Sequence, residues 1–144
     1  MDARGFRRAW ASPAGRWLPV LLWMAGIFYY SSRPDPLGFV GRPSADRDAL
    51  GRAAHVLEYA GLAFWLHRAL ARGEESARPH LWAGFLSVAY ALSDEFHQMW
   101  VPGREASLGD VALDALGAAA ALAFLWMWEK RSAVGRLRSS LRGR

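Results

Sequence analysis

Cysteine is absent from the 144 residues, which excludes a disulfide framework and any thiolate zinc site and leaves the redox compartment unmarked. Lysine is nearly absent too, since seventeen of the eighteen basic residues are arginine. No uncharged run reaches the roughly 20 residues that a bilayer crossing wants. The uncharged runs stop at about 13 to 16 residues, which taken alone favours buried core helices. There is no internal repeat. No A-x-A cleavage site follows the first apolar run, so Arg4, Arg7, Arg8 and Arg16 flank what reads as an uncleaved anchor, not a signal peptide. Arg7-Arg8 also lacks the surroundings of a twin-arginine signal.

Against these absences stand 53% hydrophobic residues, eight tryptophans and a net charge of +5. Mean hydropathy is close to zero, but charge and apolarity are segregated along the chain. Trp17 to Ser32 carries no charge. Ala53 to His67 is apolar except for His55, Glu58 and His67. Leu81 to Ser93 is uncharged and runs into Asp94-Glu95-Phe96-His97-Gln98. Leu108 to Trp128 is apolar except for Asp110 and Asp114. None of these stretches alternates with period two, and alanine and leucine dominate, so the spacing predicts four helices. Arg33-Pro34-Asp35-Pro36 breaks the first from the second, Arg72-Gly73-Glu74-Glu75 the second from the third, and Pro102-Gly103 the third from the fourth. Pro79 suits a first helical turn, and Ser107-Leu-Gly-Asp110 has the form of a capping box. The tail from Glu129 is arginine-rich and is expected to be at most partly ordered.

Three features place these helices in a membrane. They are apolar nearly all round, whereas soluble bundles show polar outer faces. Aromatic residues sit at segment ends: Trp17, Tyr29, Tyr30, Trp82, Trp100, Trp126 and Trp128. The basic residues are asymmetric. With four spans, thirteen fall on the side of the two termini and the Arg68 to Arg78 loop, and five on the other. The positive-inside rule then puts both termini in the cytoplasm. The fold expected is an all-α, four-helix transmembrane bundle with short loops. Arginines that flank apolar runs, with no recognition motif among them, argue against nucleic acid as a partner. They fit topology control and contact with lipid headgroups.

The polar residues inside the apolar segments converge. His55 and Glu58 are i and i+3, with Tyr59 next, in the first two turns of the second helix. Asp94, His97 and Gln98 share a face near the end of the third, with Glu95 turned about 100° away. Asp110 and Asp114 open the fourth, and Gly117 and Ala121 continue their stripe. Alternating helix direction brings all three sets to one depth near the outer face. Ionised groups facing lipid are costly, so they are expected to face one another. Two chemistries suit the set. His55 and Glu58 with Asp94 and His97 offer nitrogen and carboxylate ligands for zinc or manganese, although the spacing matches no metal motif and no metal site is assigned. Alternatively a neutral histidine beside carboxylates performs acid–base work, with His55, Glu58, Asp94 and Glu95 as catalytic candidates. Tyr59, His97, Gln98, Arg104, Asp110 and Asp114 are the ligand-binding candidates, Arg104 and the free N–H groups of the fourth helix holding an anion. The plainer readings are that Asp110 is a helix cap, that Arg104 pairs with Glu105 or Asp110, and that the cluster only glues helices together. His67 and His80 fall at the opposite end and read as interfacial.

The same residues carry a resemblance to the VanZ-like family of bacterial membrane proteins. It rests on Tyr30-Ser31-Ser32-Arg33-Pro34, His55-Val-Leu-Glu58-Tyr59, Ser93-Asp94-Glu95-Phe-His97-Gln98, Val101-Pro102-Gly103-Arg104, Ser107-Leu-Gly-Asp110 and Asp114-Ala-Leu-Gly117, over residues from about 17 to 128. Gly51-Arg52 stand where family members often carry Asp-Lys, and Asp114 stands where Asn is common. The resemblance implies a multi-pass protein of the bacterial cytoplasmic (inner) membrane, with a link to teicoplanin resistance in the founding member and no known reaction. Residues 1–16 are then a basic cytoplasmic segment, 17–128 the four-helix domain and 129–144 a basic cytoplasmic tail. The expected partners are the lipid bilayer and a lipid-linked or anionic envelope ligand. No cofactor is assigned, and the cluster suits turnover, ligand binding or helix packing.

Overall fold

The computed structural model describes Trp10 and residues 12–35, 44–71 and 78–142, the side chains at 44, 45, 47 and 137–142 excepted. Arg4, Arg7, Arg8, Arg42, Arg72 and Arg144, which entered the charge count above, lie outside the described residues. The described chain is all-helical, with four long helices: α1 (Pro13–Ser31), α2 (Ser44–Leu70), α3 (Arg78–Gln98) and α4 (Leu108–Arg142).

Local chemistry explains where the helices begin and turn. Ser12 caps α1, its Oγ accepting the Gly15 N–H at 3.1 Å, with Pro13 in the first turn. Pro19 lies inside α1 and has no N–H to give the Gly15 carbonyl four residues back. The Arg68 guanidinium donates to that carbonyl at 3.4 Å, and Arg16 donates to the Ala71 carbonyl at 2.8 Å. Two arginines thus tie the start of α1 to the end of α2. Pro79 stands in the first turn of α3, as its position predicts. Val101 to Arg104 closes a turn, Arg104 N–H to Val101 carbonyl at 3.1 Å. Pro102 and a Gly103 at φ 78° fill the two central positions, the second of which demands a residue free to adopt positive φ. Ser107 caps α4, its Oγ accepting the Asp110 N–H at 3.3 Å.

Two boundaries differ from the sequence expectation. α2 starts at Ser44, not Ala53. Asp46, Arg47, Asp48 and Arg52 made that stretch read as loop, yet no helix breaker follows Pro43 before Gly51. His55 therefore lies about 16 Å along α2, three turns in instead of within the first two. At the other end α4 does not stop near Trp128 but continues to Arg142, so the tail expected to be partly ordered is helical. Its arginine, leucine, lysine and glutamate residues favour helix, against Gly135 and three serines.

α4 packs most extensively on α2, then on α3; α1 lies mainly against α2. The core is built from small and medium side chains, among them Val20, Ile27, Leu62, Ala63, Ala83, Ala91, Ala118 and Leu122. At Gly117 α2 and α4 approach closely: a Cβ there would run into the Val56 backbone carbonyl. Large apolar side chains point outward, including Leu21, Leu22, Leu57, Leu81, Phe85, Leu116 and Phe124. Polar ones point inward: Ser31, Ser87, Asp94, Glu95, Gln98 and Asp114 are buried. Among the described residues one helix, over Leu108–Arg136, is long and apolar enough to cross a membrane by length and composition.

Candidate functional site

The inward polar residues gather where α1 and α3 end and α4 begins. Asp94 is held from two sides. Ser31 Oγ of α1 donates to its Oδ1 at 2.6 Å, and Gln98 Nε2, one turn on, donates to its Oδ2 at 3.1 Å. Gln98 Oε1 accepts from Arg104 Nη2 at 2.9 Å and Nε at 3.2 Å. The Gln98 amide thus relays between a carboxylate and a guanidinium, and its orientation is fixed, because only its oxygen can face Arg104. Arg104 is delivered by the Pro102-Gly103 turn and bonds Gln98, not Glu105 or Asp110. This line of four residues joins α1, α3 and the α3–α4 turn.

A second pair joins α2 to α4. His55 Nδ1 lies 3.0 Å from Asp114 Oδ1, with Asp114 only 2% exposed. When Asp114 is ionised it accepts from Nδ1–H, and Nε2 is an acceptor only while the imidazole is neutral. Gly117, one turn below Asp114, permits the approach.

Glu95 was placed on a different face from Asp94, and both faces are buried, because the end of α3 sits against α1 on one side and α4 on the other. Glu95 Oε2 accepts the Ser107 N–H at 2.7 Å. It supplies the return bond that a capping box would take from Asp110, so Ser107 is the cap and Asp110 is left half-buried in the first turn of α4. His97 turns toward α1. Its Nε2 is 3.1 Å from Ser32 Oγ, whose own hydrogen goes to the Phe28 carbonyl at 2.6 Å, so His97 donates. Its ring packs on Phe28 at 4.6 Å. His55, Glu58, Asp94 and His97 consequently do not form one ligand set; the metal-competent group among the described residues lies elsewhere.

Glu58 and Tyr59 occupy the middle. Glu58 is half-buried, within electrostatic reach of His55, Asp114, Asp94 and Arg104, and its carboxylate has no hydrogen-bond partner among the described residues. Its backbone carbonyl is taken by Trp23 Nε1 at 2.8 Å, an approach that Gly61 allows by leaving room for the indole. Tyr59 is 1% exposed, and its hydroxyl is buried without a partner among the described residues. Glu95 Oε1 is in the same state. The cluster therefore divides into bonds already made (Ser31–Asp94–Gln98–Arg104, His55–Asp114, Glu95–Ser107) and polar valence left open (Glu58, Tyr59, Glu95 Oε1).

Ser31, Ser32 and Ser107 were not among the site candidates, although Ser31 and Ser32 stood in the quoted Tyr-Ser-Ser-Arg-Pro block. The signal was there: two hydroxyls in the last turn of an otherwise apolar helix, at the depth of the acidic residues.

No curated protein and no solved structure matches the chain. The VanZ/LLP1 family model matches residues 16–129, which hold every residue of the cluster, and the family is generally membrane-associated. The chain belongs to the VanZ/LLP1 family.

Proposed function

We propose that this protein spans the bacterial inner membrane four times, with both termini in the cytoplasm, and binds an amphiphilic cell-envelope ligand at the outer membrane–water interface. The inside-out distribution of side chains supports the spans. α1, α2 and α3 fall short on average apolarity partly because of polar residues that turn inward, where lipid does not meet them. The arginine asymmetry supports the orientation.

The observation that carries the binding reading is the buried, unpartnered Tyr59 hydroxyl and Glu95 Oε1 beside a completed network, with the half-buried Glu58 carboxylate open to solvent or to a ligand. Buried polar groups in proteins are nearly always hydrogen-bonded. Helix glue would close on itself, as the Ser31–Asp94–Gln98–Arg104 line does. A binding site presents groups that its ligand completes. Glu58 and Glu95 accept, so they suit hydroxyl or amine donors, while Arg104 suits a phosphate or carboxylate. An apolar groove of about 430 Å³ runs between α3 and α4 from Val88 and Ala115 to His80 and Trp126 at the opposite end of the bundle, and no residue of the cluster lines it. A lipid-linked headgroup carrying an anion and several donors suits Glu58, Glu95 and Arg104 together, and an amphiphilic glycopeptide such as teicoplanin is of the same chemical kind. An enzymatic version assigns the base role to His55 Nε2 or Glu58.

Native mass spectrometry of the full chain, extracted in mild detergent, tests the reading. The wild type should carry an anionic amphiphile. Glu58→Gln and Arg104→Ala should lose it, with Glu58→Gln unchanged in thermal stability. A wild type with nothing bound, or a Glu58→Gln whose stability falls in step with ligand loss, would establish the second reading, a non-enzymatic accessory protein whose polar cluster serves packing alone.

A further inference from the structure

At the far end of the bundle from this cluster, three helices bring together side chains that the function above does not use. His67 is in the last turn of α2, His80 in the first turn of α3, and Glu129 lies well along α4. Their ligand atoms all lie within 4.8 Å of one another. His67 Nε2 is 3.6 Å from Glu129 Oε1, and His80 Nε2 is 3.6 Å from Glu129 Oε2. The two imidazole rings lie 4.1 Å apart between centroids, tilted at 53° to each other.

As hydrogen bonds these contacts fail. A separation of 3.6 Å is too long, and both ring nitrogens of His80 are buried with no hydrogen-bond partner among the described residues. Two aromatic nitrogen heterocycles converging on one carboxylate, each at slightly more than bonding distance, leave a gap of the size an ion fills. Zinc binds imidazole nitrogen and carboxylate oxygen at about 2.0–2.2 Å, so the edges of its tetrahedron are about 3.3 Å. His67 and His80 face different oxygens of Glu129, so an ion draws ligand atoms that lie within 4.8 Å of one another in to about 3.3 Å, which rotation of the half-exposed Glu129 side chain allows. The donor set is two neutral imidazoles and one carboxylate, which suits zinc and leaves a fourth position for water. The end of α2 adds the partial negative charge of a helix C-terminus. The set is also reachable, because Glu129 is half exposed while the two histidines are shielded.

We infer that His67, His80 and Glu129 form a binding site for a divalent transition-metal ion of the zinc class, which fastens together α2, α3 and α4 at the end of the bundle opposite the polar cluster. The site does not depend on the envelope ligand, and its test does not use one. The full chain, purified in mild detergent with a non-histidine affinity tag and stripped with chelator, is titrated with zinc chloride by calorimetry and followed by thermal unfolding. One zinc per chain and a rise in Tm are expected. Glu129→Gln and His80→Gln should each weaken zinc by more than about tenfold, and His97→Ala should not. Cobalt substitution of the wild type should give the visible ligand-field bands of a four-coordinate ion, a readout that needs no variant to fold. Absence of stoichiometric zinc, a six-coordinate cobalt spectrum, or zinc lost in His97→Ala but kept in His80→Gln would each overturn the assignment.

Discussion

Gly117→Ala adds one methyl group where two helices have no room for it. The new Cβ would meet the carbonyl oxygen, carbonyl carbon and Cα of Val56. These are backbone atoms and cannot rotate aside, so α2 and α4 must part. Overpacking of this kind costs about 1–3 kcal/mol. The substitution also acts on the site, because His55 precedes Val56 and Asp114 is one turn before Gly117. Separating the helices stretches the 3.0 Å His55–Asp114 contact, and a hydrogen bond to a charged group contributes about 1.5–3 kcal/mol. Alanine's better helix propensity offsets about 1 kcal/mol. The net expectation is a loss of roughly 2–4 kcal/mol, or a fall in Tm of roughly 5–15 °C. Thermal unfolding in detergent followed by circular dichroism measures it. Gly26→Ala is the control, since a Cβ there meets nothing within 4 Å. It should stabilise by up to about 1 kcal/mol from propensity. A Gly117→Ala protein as stable as Gly26→Ala would refute the close approach of α2 and α4 and, with it, the geometry of the His55–Asp114 pair.

Three further outcomes follow from the same hydrogen bonds. Gln98→Leu strands both Asp94 Oδ2 and the Arg104 guanidinium, and should cost about 2–4 kcal/mol in the same assay. Asp94→Asn should cost less, under about 1.5 kcal/mol, because the amide can turn its oxygen to Gln98 Nε2 and its NH2 to Ser31, whose hydroxyl then serves the Phe28 carbonyl 3.2 Å away. Tyr59→Phe removes a buried hydroxyl that has no partner among the described residues. Its stability should hold or rise by about 1 kcal/mol while amphiphile retention in native mass spectrometry falls; destabilisation instead would mean that the hydroxyl is bonded within the protein.

The residues themselves indicate how far the sequence could be read. Four helices followed from four apolar stretches, and the Ser107 and Pro79 starts followed from cap chemistry. The inward convergence of Asp94, Gln98 and Asp114 followed from helical phase plus the expense of charge in lipid. What phase cannot supply is the rotation of one helix against the next. Asp94 and His97 share a face of α3 at i and i+3, yet Asp94 meets Ser31 and Gln98 while His97 swings to Ser32. For Arg104 the sequence offered an anion ligand or a near acidic partner, Glu105 or Asp110, whereas the Gly103 turn carries it back over Gln98. The start of α2 was hidden because charged residues read as loop when no breaker marks them otherwise. His67 and His80 looked interfacial because their common partner, Glu129, stood in what looked like a tail. Only the continuation of α4 past Trp128 brings that carboxylate to them.

The central claim is that the polar cluster opens on the outer face of a membrane-spanning bundle. A chain without cysteine allows it to be tested with single introduced thiols. Ala106→Cys lies in the exposed α3–α4 connection beside the cluster, and Gly135→Cys on the exposed far part of α4. A membrane-impermeant maleimide applied to intact cells, with the outer membrane permeabilised where there is one, should label Ala106→Cys at once and Gly135→Cys only after lysis. Labelling of Gly135→Cys alone would invert the topology, and protection of both until lysis would place the cluster on the cytoplasmic side or remove the protein from the membrane.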